Sequence, residues 1–298
     1  MVGASAGQNN TTGAQNTAVG TDSLISNTTA NNNTALGYQA GYSNTTGTEL
    51  TFVGYAAGYS NTTGDYNTFL GRTSGYYTTT GSANIGVGYS ALVTNSSGAN
   101  NTAIGMQALQ ANTTAANNTA VGYQAGYANT TGYENVFVGY STGDANTTGH
   151  SNTATGAYAF GANTEGIRNA AFGDAALLSN TTGSQNVAVG KDSLRLNTTA
   201  SNNTAMGYQA GYAATTGTNS TFLGSLAGAT TTTSSNQTLL GHAAGRYVTG
   251  DKNTFVGTNS GDAITTGAKN TIIGRYNGNS GGLDIRTSSN NIVLSDGD

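Results

Sequence analysis

The chain has 298 residues, 45 of them glycine, and with asparagine and threonine these make up nearly half of it, while proline, cysteine and tryptophan are absent. A disulfide scaffold, a cysteine-based metal centre, collagen and a polyproline rod are therefore excluded. Nine scattered cations against thirteen carboxylates leave a net charge of -4, which argues against a nucleic-acid partner. No apolar run approaches the ~18 residues of a membrane span, and MVGASAGQNN lacks the charged and apolar regions of a secretion signal.

From Val2 onward the phrase N-T-A-x-G returns at a fixed period. Its glycine falls at Gly3, Gly20, Gly37 and Gly54, and then every 17 residues to Gly241, before a 16-residue step to Gly257 and a last one to Gly274. A disordered tract has no reason to keep count, whereas a stack of coils must. The repeat is too short for a helical hairpin, and its glycines oppose helix by ~1 kcal/mol each. The pattern predicts an all-β fold, a parallel β-solenoid of about 17 coils over residues 1–274. A longer period lies on top: the segments that begin at Thr21, Met106 and Lys191 repeat with an offset of 85 residues, giving blocks at about 21–105, 106–190 and 191–274.

The strand of each coil is the phrase before the marker glycine, and two of its columns are apolar. The residue just before the glycine, as in Val19, Leu36, Val53, Leu70 and Val87, is assigned to the interior. Its neighbour alternates between Ala and Phe and points to the opposite face. A coil has one interior, so this second face needs a partner, most economically another copy of the chain. That makes Phe52, Phe69, Phe137, Phe222 and Phe255 the candidate oligomer contacts.

After the glycine comes a small residue, then a position that is glycine or a large apolar residue. Where it is Gly41, Gly58, Gly126 or Gly211, tyrosines flank it: Tyr38 and Tyr42, Tyr55 and Tyr59, Tyr123 and Tyr127, Tyr208 and Tyr212. An N-T-T-G turn usually follows, as at Asn44 to Gly47, where Asn and Gly are expected to supply left-handed backbone and Asn amides to stack from coil to coil. The residue missing before Gly257 is expected to shorten this turn and leave the strand register intact. Residues 275–298 are expected to leave the solenoid and form other strands.

The phrases NTALGYQAGYSNTTG and NTAVGYQAGYANTTG resemble repeat arrays of phage tail-fibre-type proteins and the heads of trimeric autotransporter adhesins. The resemblance implies a left-handed β-roll, a homotrimer, and a place on a virion fibre or an extracellular appendage. GGLDIRTSSNNIVLSDGD is similar to a fibre segment that precedes a chaperone domain. Entry directly in register at Val2 suggests a piece of a longer object or a subunit that associates end to end.

Catalytic chemistry finds no home in the pattern. His150 and His242 lie more than five coils apart, and the carboxylates do not recur with the period. No enzyme, cofactor or metal is expected. The N-x-T and N-x-S triplets at Asn27, Asn44, Asn61, Asn95, Asn112, Asn129, Asn146, Asn180 and Asn197 are either glycosylation sites or, preferably, a turn ladder. The eight tyrosines are candidate surface contacts for sugars, or packing over glycine-thinned coils. The leading expectation is a fibre or adhesin shaft that attaches to a glycan or protein on a host or neighbouring cell, without inserting into the membrane. The alternatives are a subunit of an extracellular filament and a glycan- or ice-binding solenoid.

Overall fold

A computed structural model describes residues 1–295 and contains two compact units, Met1–Ser151 and Asn152–Asp298. Each is a run of β-solenoid coils. The first unit carries β1 Thr17–Val19, β2 Thr34–Leu36, β3 Thr51–Val53, β4 Thr68–Leu70, β5 Ile85–Val87, β6 Thr102–Ile104, β7 Thr119–Val121 and β8 Val136–Val138. Consecutive strands pair in parallel with no slip, so that Val53, Leu70 and Val87 fall in one column, and Val2 bridges to Val19 ahead of β1.

The second unit carries β9 Thr153–Thr155, β10 Ala170–Phe172, β11 Val187–Val189, β12 Thr204–Met206, β13 Thr221–Leu223, β14 Thr238–Leu240, β15 Thr254–Val256 and β16 Thr271–Ile273 in the same parallel register. Two short strands follow, β17 Asn279–Ser280 and β18 Leu283–Asp284, paired antiparallel. β19 Ile292–Leu294 then pairs with β16, Thr271 opposite Ile292. The expectation that the chain leaves the solenoid after Gly274 is thus corrected. Four extra residues form a hairpin, and the backbone returns to the sheet.

The assignment of faces is also corrected. Ala18, Ala35, Phe52, Phe69 and Phe137 are fully buried within the chain, whereas Leu36, Leu70 and Ile104 are 48%, 36% and 41% exposed. In the second unit Phe222 and Phe255 are buried in the same way, and Met206, Leu223 and Ile273 are exposed. The Phe and Ala column fills the coil, and the column before the glycine faces outward. The reason is volume. A coil this small holds one large side chain at that level, and in most coils the residue six positions after the strand centre compensates for its size. Phe52, Phe69, Phe137 and Phe222 are followed by Gly58, Gly75, Gly143 and Gly228, while Ala18, Ala103, Ala171 and Ala188 are followed by Leu24, Leu109, Leu177 and Leu194, all buried. A Cβ on Gly58 would stand 2.7 Å from the Phe52 ring. Ala35, Ala120 and Ala205 are followed by Gly41, Gly126 and Gly211 instead, and there the space is taken by side chains of the neighbouring coils, Leu24 and Phe52, Leu109 and Phe137, and Leu194 and Phe222.

The marker glycine has a separate cause. Gly54 has φ 135°, and a Cβ there would lie 2.6 Å from the carbonyl oxygen of Gly71 in the next coil. Only glycine fits both constraints. Before Gly257 the missing residue is taken from the turn, as expected: Thr238 still pairs with Thr254, and Leu239 with Phe255.

Candidate functional surfaces

Two ladders of asparagine run through the coils. In the first unit the Nδ2 of Asn27 donates to the Oδ1 of Asn10 at 2.8 Å, Asn44 to Asn27 at 3.0 Å and Asn61 to Asn44 at 3.0 Å. The same amide group of Asn44 donates to the carbonyl of Gly47 at 3.0 Å and closes the turn. A second ladder uses the Oδ1 of Asn67, Asn84 and Asn101 to accept the backbone N–H of the residue one coil on, at 2.9, 3.0 and 3.0 Å. In the second unit Asn169, Asn186 and Asn203 repeat the second arrangement. These amides satisfy the donors and acceptors that a thin, water-free coil would otherwise leave unpaired.

The ladders decide between the two readings of the N-x-T triplets. All nine asparagines from Asn27 to Asn197 are fully buried. Each forms part of the turn, so none offers its amide to a glycan in the folded chain. The turn itself is built differently from the expectation. The left-handed residues lie elsewhere, as at Gln39 with φ 53° and Glu49 with φ 58°. Gly47 is small because its Cβ would press within 2.6 Å of the Asn44 amide oxygen.

Of the paired threonines in the turn, Thr45 donates its hydroxyl to the carbonyl of Thr62 at 3.0 Å, and Thr62 to Thr79 at 3.0 Å. Thr46 is exposed. One threonine column is therefore consumed in joining coils, and one faces solvent.

The tyrosines pack on one another. Tyr38 and Tyr55 stack at 5.3 Å between ring centroids, Tyr42 and Tyr59 at 4.9 Å, Tyr59 and Tyr76 at 4.8 Å, and Tyr123 and Tyr140 at 5.2 Å. The rings lie face to face from one coil to the next. Arg72 sits between Tyr55 and Tyr89, its guanidinium carbon 5.6 and 5.8 Å from the two centroids. Burial pushes the Tyr76 phenol above its ordinary range, and the neighbouring Tyr59, Tyr77 and Tyr55 push it further. Of the other candidates, Tyr127 is half-buried and Tyr208 is exposed, while Tyr212 lies under Arg195 with the guanidinium carbon 5.9 Å from its centroid.

Charged groups are dispersed. Arg246 holds Asp262 in a two-pronged pair at 3.0 and 2.9 Å, and Arg286 holds Asp284 likewise, drawing that carboxyl down to about 2. Among the described residues no three His, Asp or Glu side chains come together as a metal site would need. His150 stacks on Tyr133 at 4.5 Å. An open depression of about 450 Å³ lies beside the β17–β18 hairpin, lined in part by Tyr276, Leu283 and Val293. Among the described residues no helix is long and apolar enough to cross a membrane. No family model, curated protein or solved structure matches this chain.

Proposed function

We propose that this chain is a structural shaft, a self-associating module of an extracellular or virion fibre that holds an attachment function away from its base. The observation that carries the reading is the uniformity of the coils. Within each unit the solenoid strands pair without slip, the interior is sealed by amide ladders, and chemistry-bearing groups are few and dispersed among the described residues. Stiffness then comes from backbone hydrogen bonds repeated at each coil, and self-association from apolar side chains left outside. The likeness of the NTALGYQAGYSNTTG phrase to fibre and adhesin repeats supports the extracellular setting and a three-fold assembly. A glycan partner that stacks on the tyrosines gains no support from ring faces already turned to one another. Immuno-electron microscopy of the native assembly tests the reading. Label along an extended fibre is expected, and its absence from any fibre overturns it.

A further inference from the structure

We propose that the outward sheet face of the unit Met1–Ser151 is a contact surface between copies of this chain. The inference rests on the reading of the chain as a self-associating shaft and names the surface that does it. Two exposed columns flank the marker glycines. The one before them presents Leu36, Leu70 and Ile104, with half-buried valines between. The one after them presents Tyr38, Tyr55, Arg72, Tyr89, Met106 and Tyr140, of which the tyrosines and the methionine are 44–51% exposed. From Val19 to Tyr140 neither column contains an aspartate, a glutamate or a lysine.

That composition is the one found at the buried centre of interfaces, where Tyr, Met and Arg are enriched and Lys, Glu and Asp depleted. The corresponding column of the second unit differs: it carries Asp174, Lys191 and His242. The side chains of the first unit are also held in place beforehand, since Tyr38 stacks on Tyr55 and Arg72 is clasped by two rings. Docking therefore costs little side-chain freedom. The two columns offer on the order of 800 Å² of mostly apolar surface, which is about one partner's share of a standard interface. The occupant follows from the spacing. A surface whose side chains recur once per coil is met rung for rung by another surface with the same rise, and a second copy of this chain has it.

Sedimentation equilibrium of the purified chain is the test. A mass that is an integer multiple of 29.8 kDa at micromolar concentration is expected. The double variant Leu70→Asp, Ile104→Asp is expected to fall to the single-chain mass with its circular dichroism unchanged. The milder pair Tyr55→Ser, Tyr89→Ser, which keeps charge off the sheet, is expected to weaken association at least tenfold. Lys191→Ser is expected to change nothing. A single-chain mass for the unaltered protein overturns the proposal, as does an oligomer equally stable in the folded variants. Immuno-electron microscopy of the native assembly separates this from the shaft reading: the chain found in a fibre while the purified protein stays at single-chain mass leaves the shaft standing, and its absence from any fibre overturns both.

Discussion

Thr78 and Thr231 stand where most coils have the ladder asparagine, and both hydroxyls are buried with no hydrogen-bond partner. Thr78 interrupts a column that Asn61 leaves and Asn95 resumes. Thr78→Asn should rejoin the two segments, raising stability by ~1 kcal/mol and the urea midpoint with it; a lower midpoint would show that the amide ladder is not what closes the coil. A second residue-scale test uses Tyr76. Its folded-state pKa lies above the unfolded value of 10.0, so its contribution is fully present below pH 10 and is lost as pH rises through the folded value. Unfolding free energy should therefore decline above about pH 10, and less steeply in Tyr76→Phe; equal slopes would contradict the burial of this phenol. The ladder asparagines were legible in the sequence, because their spacing matches the coil. The left-handed positions were not. Gln39, Glu49 and Leu24 all have φ near +50°, and nothing in their side chains signals it. The strain, ~1 kcal/mol at each, is imposed by the stacking of whole coils and offset by it.

At the level of the strand, the sequence announces where each element lies and hides which way it faces. Both strand columns are apolar, so alternation alone does not separate inside from outside. The separating signal is present six residues later, where large strand centres are followed by glycine and most small ones by leucine, Ala35, Ala120 and Ala205 being followed by glycine instead. Phe52 with Gly58 and Ala18 with Leu24 are two solutions of one volume, and the 85-residue period is the period of that exchange. Phe52→Ala alone should cost ~3–5 kcal/mol. Adding Gly58→Leu should restore stability to within ~2 kcal/mol of the unaltered chain, because Leu24 already occupies this corner with the same backbone. Thermal melts of the two variants decide it; a double variant less stable than the single one would contradict the pairing. The shortened coil before Gly257 was legible because a deletion on the exposed turn is the one place where register survives it. The return of β19 to the sheet was not, since a hairpin of four extra residues masks the coil length.

For the molecule as a whole, the scarcity of large apolar residues sets the argument. Most coils bury one or two of them and leave one on the outside, so the coil interior is closed chiefly by amides, glycine contacts and backbone. What remains exposed is a face, and the face open to the proposed partner is the one that carries Leu70, not the one that carries Phe69. This reverses the faces expected from the strand pattern, since the phenylalanine column lies inside the chain and the leucine column outside it. The most direct check compares Phe69→Asp with Leu70→Asp, adjacent residues on opposite faces of one strand, by circular dichroism of the purified variants. A charge at Phe69 has no water and no partner, and its burial exceeds the few kcal/mol that hold a domain together, so that variant should lose its β-sheet signal. Leu70→Asp should keep it, the carboxylate reaching solvent. The opposite result, a folded Phe69→Asp and an unfolded Leu70→Asp, would place the phenylalanine column outside and contradict the account.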